Sequence, residues 1–146
     1  MKPADLPLAP AREAYLDLRR VHERLAREFE ELFKSQGLTH AWFNVLRILQ
    51  GGPDEGTRCR DLGEKLVNRV PDVTRLLDRM EGAGLIERER SLEDRRVVRA
   101  RITPEGRGKL RALEKPVDDL HLAQFAHLEA DELERFGATL RRLLEA

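Results

Sequence analysis

Six arginines, Arg88, Arg90, Arg95, Arg96, Arg99 and Arg101, fall within 14 residues, and Arg75 and Arg79 lie shortly before them. Arginine carries a planar fork of donors that pairs bidentately with phosphate and with the major-groove edge of guanine. Asp72 and Thr74 share the stretch with Arg75 and Arg79. A carboxylate can accept from cytosine, and a threonine can contact base edges or methyl groups. The chemistry on offer is recognition of nucleic acid rather than bond making. A plainer reading is also open: Arg75 and Arg79 can pair with Asp72, Asp78 or Glu81 on a solvated helix face. Likewise Asp94 can pair with Arg95 or Arg96 and simply fix a turn, while the other arginine stays exposed.

Other reactive side chains form no set. Cys59 is the single cysteine, which excludes an internal disulfide and suits a reducing compartment. Arg58 and Arg60 flank it near a helix start and could lower its thiol pKa, although a merely packed cysteine explains the residue as well. The four histidines, His22, His40, His121 and His127, match no zinc spacing, so no metal is expected. No Gly-rich phosphate loop, nucleophile triad or paired carboxylates in an apolar setting stand out, so an enzyme is not expected and no cofactor is implied.

The charge total alone argues against nucleic acid. The 146 residues hold 27 Lys+Arg and 27 Asp+Glu, a formal net charge of zero. Its distribution says otherwise. Residues 1–56 carry 8 basic and 9 acidic side chains, residues 57–109 carry 14 and 10, and residues 110–146 carry 5 and 8. The positive excess therefore lies on the segment with the arginine cluster. Arginines number 22 against five lysines, a bias that a GC-rich genome also produces. The longest stretch without charge, Ser35 to Leu46, is too short to cross a bilayer. No apolar run follows the N-terminus, so no secretory signal is expected and the cytoplasm is the expected location.

Periodicity supplies the elements that must position these residues. Tyr15, Leu18, Val21, Leu25, Phe29 and Leu32 recur at helical steps and predict a long helix from about Pro10 to Lys34. Thr39 caps a second helix containing Trp42, Val45, Leu46 and Leu49, which the Gly51-Gly52-Pro53 run stops. Two short helices follow, Arg60 to Leu66 and Val70 to Glu81, the second with Asn68 as its expected cap. After Gly82-Ala83-Gly84, the segments 85–90 and 97–102 read as an antiparallel hairpin whose polar tip is 91–96. Thr103-Pro104-Glu105 starts another helix. Pro116 should kink or break it, at a cost of ~3 kcal/mol for an interior proline. A last helix spans about Ala130 to Glu145.

Helix, short helix, tight turn, second helix and basic hairpin form a winged helix-turn-helix, mainly α with a small β-hairpin wing. The run Asp61-Leu62-Gly63-Glu64-Lys65-Leu66, followed by Val73-Thr74-Arg75-Leu76-Leu77-Asp78-Arg79-Met80-Glu81-Gly82-Ala83-Gly84-Leu85-Ile86, resembles the helix-turn-helix of MarR-family regulators. Asp94-Arg95-Arg96 with Ile102-Thr103-Pro104-Glu105-Gly106 resembles that family's wing motif. The resemblance implies one domain over 1–146, with a winged lobe at 37–107 and dimerisation helices at 10–36 and 108–146. It implies a homodimer on a pseudo-palindromic double-stranded operator, usually a repressor. It also implies a small-molecule effector, phenolic or otherwise aromatic, in a cleft beside the dimer helices. Carried onto this chain, the DNA-binding residues are Arg69, Asp72, Thr74, Arg75, Arg79, Arg90, Arg95 and Arg96. His22, His40 and Trp42 are candidates for the cleft, although ordinary packing, with Trp42 as a core anchor, explains them better. Arg69 stands where the family often has Ser or Thr, and Pro71-Asp72 replaces a common small polar pair. A competing function on the same fold is a protein–protein module whose basic hairpin is only a solvated face. A ligand-binding relative without DNA affinity is the third.

The terminal segments support a dimer independently. Their long apolar stripes have no other domain to cover them, and monomers rarely leave such patches exposed.

Overall fold

Spacing of apolar residues decides the first helix, and the capping residues decide most of the others. In the computed structural model, which describes residues 7–66 and 70–146, α1 spans Leu8–Lys34 and starts two residues before the expected Pro10. Helix α2 spans His40–Gln50, and the Thr39 hydroxyl accepts from the backbone N–H of Trp42, as its position predicts. A two-residue strand, β1 (Thr57–Arg58), precedes α3 (Cys59–Lys65). Helix α4 spans Val73–Gly82, followed by β2 (Ile86–Arg90) and β3 (Val98–Ile102). Helix α5 spans Pro104–Gln124 and α6 spans Ala130–Leu144.

The expected hairpin is part of a three-stranded antiparallel sheet ordered β1-β3-β2. Thr57 pairs with Ala100 and Arg58 with Arg99. Two residues are too few to show an alternating pattern, which is why β1 is invisible to periodicity. In β2 and β3, Ile86 pairs with Ile102 and Arg88 with Ala100, so Ile86, Ala100 and Ile102 enter the core from one face.

Two further expectations are corrected. The start at Val70 with Asn68 as cap is replaced by a start at Val73 with Asp72 as cap; Asn68 itself lies outside the described residues. A carboxylate at the N-cap satisfies an orphan amide and meets the positive end of the helix. The break at Pro116 does not occur, and α5 runs through it. Proline removes one hydrogen bond, to the Ala112 carbonyl. Leu113 and Val117 on either side of it are both buried and hold the helix in place.

One core joins the winged lobe to the terminal helices. Phe33 of α1, Leu46 of α2, Leu62 of α3, Leu77 and Met80 of α4, and Leu113 of α5 pack in a single cluster. The helices on both sides of the 37–107 segment therefore also close its core. Polar ties add to this. Gln124 Nε2 donates to the Leu25 carbonyl at 3.2 Å and to Glu28 at 3.0 Å. Lys109 Nζ donates to the Gln36 carbonyl at 2.6 Å.

Gly84 and Gly106 fix the approach of the wing to α5. Gly84 has φ +76 and lets the Leu85 N–H return to the Met80 carbonyl at 3.1 Å, ending α4 sharply. A Cβ on Gly106 would collide with the Leu85 carbonyl oxygen. That close approach explains a glycine inside the first turn of α5, where the Thr103 hydroxyl accepts from Gly106 N–H and donates to the Gly84 carbonyl.

Helix α6 differs from the rest, with no buried residue. Leu133, Phe136, Leu143 and Leu144 stay exposed, as do Leu8, Tyr15, Leu18 and Val21 of α1. Among the described residues, no helix is long and apolar enough to cross a membrane.

Candidate nucleic-acid interface

Leu76, Leu77 and Met80 seat α4 on the core, which turns Thr74, Arg75, Asp78 and Arg79 outward. The Asp72 Oδ1 accepts from the Arg75 backbone N–H at 3.0 Å. Its carboxylate is thus engaged in holding the helix start, a role its expected place among base-reading residues did not include. Arg69 lies outside the described residues.

The acids of α4 do not pair with its arginines. Arg88 of β2 reaches across, donating through Nη2 to Asp78 and Glu81 and through Nε to Glu81. The Arg88 backbone N–H also donates to Glu81, at 2.8 Å. These hydrogen bonds hold the Glu81 carboxyl below its ordinary pKa and raise that of Arg88. The Arg88 side chain is only 20% exposed, so the clamp is a packed strut between wing and helix. Among the described residues, Arg75 and Arg79 then make no ion pair. The solvated-pair reading of those two residues is corrected: Arg88 from another element takes Asp78 and Glu81, and Asp72 caps the helix.

In the wing, the structure sorts the arginines by role. Arg101 pairs with Glu89 at 2.8 Å, and Arg99 donates to the Gly56 carbonyl at 3.1 Å. Arg90 donates to the Arg95 carbonyl at 2.9 Å, bracing the tip from below. Asp94 accepts from the Arg96 backbone N–H at 3.0 Å and stands 3.6 Å from its guanidinium. Ser91 Oγ accepts from the Glu93 and Asp94 N–H groups, and the Val97 N–H closes a turn onto the Asp94 carbonyl. Aspartate is therefore the turn-former and Arg96 its partner. Arg95 alone of the six makes no side-chain hydrogen bond or ion pair among the described residues.

Cys59 is half-buried, and burial raises its thiol pKa, outweighing the nearby Arg88 charge. This agrees with the packed-cysteine reading rather than with a thiol activated by Arg58 and Arg60: loss of hydration disfavours the thiolate more than the Arg88 charge favours it.

His40 and Trp42 follow the packing alternative. His40 packs against Phe33 and Phe29, at ring distances of 5.2 and 6.4 Å, and burial lowers its pKa. Trp42 is half-buried against the core, and His22 lies exposed on α1. A cavity of about 650 Å3 opens instead between α2 and α5, lined by Phe43, Arg47, Arg107, Arg111, Glu114 and His121 among others. The i,i+4 pairs Phe43/Arg47 and Arg107/Arg111 are the signal of it that residue order carries. His121 faces Phe29 at 4.8 Å. No group of three or more His, Cys, Asp or Glu able to hold a metal occurs among the described residues.

Comparison with known proteins agrees with this geometry. A family model described as the MarR family matches residues 38–98. A MarR transcription factor from Planctomyces limnophilus superposes with a TM-score of 0.71 at 40% identity, covering 92% of this chain and 94% of that one. A mutant MarR from Escherichia coli, complexed with operator DNA, is 26% identical with a TM-score of 0.76, covering 87% and 90%. The transcriptional regulator PapX of Escherichia coli is 29% identical over 125 residues, 86% of this chain and 76% of that protein. These relatives are regulators of transcription and not enzymes. The shared winged lobe, and the near-complete overlap with a MarR transcription factor at 40% identity, show that the chain belongs to the MarR family of transcriptional regulators.

Proposed function

We propose that this protein binds double-stranded operator DNA as a C2 homodimer and represses transcription in the cytoplasm until a small molecule releases it. The observation that carries this reading is the clamp at Arg88. By engaging Asp78 and Glu81 it leaves Arg75 and Arg79 available on the outward face of α4, and Arg95 of the wing is likewise without a side-chain partner among the described residues. A relative in complex with operator DNA supports the same use of the fold. The exposed stripes of α1 and α6 support the dimer, which sets two recognition helices ~34 Å apart, one turn of DNA, and so a pseudo-palindromic site. The α2/α5 cavity supports an effector, aromatic through Phe43 and anionic through Arg47, Arg107 and Arg111.

Fluorescence anisotropy on a duplex selected from a random pool tests the reading. Arg75→Ala weakens binding and relaxes base preference, and the double change Arg95→Ala/Arg96→Ala weakens it and lowers its salt dependence. Unchanged affinity in both favours a protein–protein module instead. Light scattering at micromolar concentration should give the mass of two chains. Repeating the titration with phenolic acids tests release.

A further inference from the structure

Between α3, the first turn of α4 and the wing lies a cleft of about 710 Å3. Its rim carries Arg58, Arg60, Thr74 and Arg96, and Arg88 and Asp94 line it as well. Two of these charges are already compensated. Arg88 is held by Asp78 and Glu81, and Arg96 lies beside Asp94. Arg58 and Arg60 are different: both are exposed, and among the described residues neither makes an ion pair or a side-chain hydrogen bond. Leu77 and Val73 line the cleft too. An apolar lining strengthens the field of the cations at the rim.

The location gives the cleft its meaning. A recognition helix in the major groove and a wing in the adjacent minor groove must straddle the sugar–phosphate strand that divides the two grooves. The space between Thr74 of the helix and Arg96 of the wing is this cleft. Arg58 is placed there by β1, whose pairing with Arg99 brings the α3 entrance against the wing. Resting on the operator-binding reading above, the geometry points to Arg58 and Arg60 as a phosphate clamp for the strand between the grooves. The ligand is a phosphodiester oxyanion of DNA, and the contact carries no base preference.

Binding of the selected duplex and of a random-sequence duplex is measured against salt for Arg58→Ala, Arg60→Ala and the double variant, with Arg75→Ala as reference. Removing one phosphate-neutralising cation should reduce the slope of log K against log salt by about 0.9. Affinity should fall by the same factor on both duplexes, so the ratio between them is kept. Arg58→Lys/Arg60→Lys should recover most of the slope, since a point charge suffices for a phosphate. Methylphosphonate linkages between the two grooves should weaken the wild type and leave the double alanine variant unaffected. Wild-type slope and affinity in the double variant, with Arg75→Ala still losing preference for the selected duplex, overturn the clamp and leave operator binding intact. If the wild type binds neither duplex, both readings fall. A thermal shift with inorganic phosphate at fixed ionic strength, abolished in the double variant while DNA binding is unchanged, assigns the cleft to a free anion and also overturns the clamp.

Discussion

Helices α4 and α6 are both one-sided, and the molecule treats them differently. Helix α4 buries Leu76, Leu77 and Met80, while the longer α6 buries no residue and leaves Leu143 and Leu144 64% and 86% exposed. An apolar stripe specifies that something must cover it and is silent about what does. For α4 the cover is the chain's own core; for α6 we attribute it to a second copy. Charge follows the same division. Asp131 of α6 pairs with Arg135 one turn away, whereas Asp78 and Glu81 of α4 pair with an arginine from a strand. Only the second arrangement releases the cations of its own helix.

The contrast is broken or sharpened first by core and interface substitutions. Leu77→Ala should lower unfolding free energy by about 2–5 kcal/mol in urea and leave the solution mass unchanged. Phe136→Asp should reduce that mass to one chain and remove the concentration dependence of the unfolding midpoint, with the winged lobe still folded. Loss of the folded lobe in Phe136→Asp would show that α6 belongs to the same core as α4.

A smaller effect comes from the cap. Asp72→Ala should cost about 1 kcal/mol in thermal or urea unfolding, and Asp72→Asn should keep most of that stability. An unchanged midpoint in Asp72→Ala would place the start of α4 elsewhere.

The smallest effect is in pH. The folded pKa of Glu81 is lowered, so the clamp's contribution is complete above the ordinary glutamate value of ~4.3 and is lost as pH falls through the lowered value. Since Glu81 is 41% exposed, water screens the pair and the loss should stay below about 1 kcal/mol. Comparing acid titrations of the wild type and Arg88→Ala isolates it; identical curves would remove the clamp's part in stability.

Much of the architecture is readable from residue order. Apolar residues at steps of three and four positions mark α1, α2 and α6, and Thr39 and Thr103 cap where their positions predict. Glycine at 84 and the Asp94-Arg95-Arg96 tip mark turns because their local hydrogen bonds need nothing from afar. The cap of α4 at Asp72 is a local departure, a bond to Arg75 three residues on; the others depend on distant partners. The Pro116 break does not occur because buried neighbours hold the helix, and β1 is too short to show itself without β3. For His40, residue type leaves cleft and packing both open, and only the contact with Phe33 of another helix shows the packing.

What the amino-acid order settled by itself is the set of elements, their winged helix-turn-helix succession and the placing of a positive excess at 57–109 on a neutral chain. Those depend on spacing and on local capping, which act over a few residues. Which arginines are available to a ligand was settled only by tertiary structure. Arg88 and Arg95 are alike in sequence, yet one is pinned under α4 by Asp78 and Glu81 and the other, at the wing tip, has no side-chain partner among the described residues. Ion pairing depends on distance in space, and strand register and helix packing set that distance.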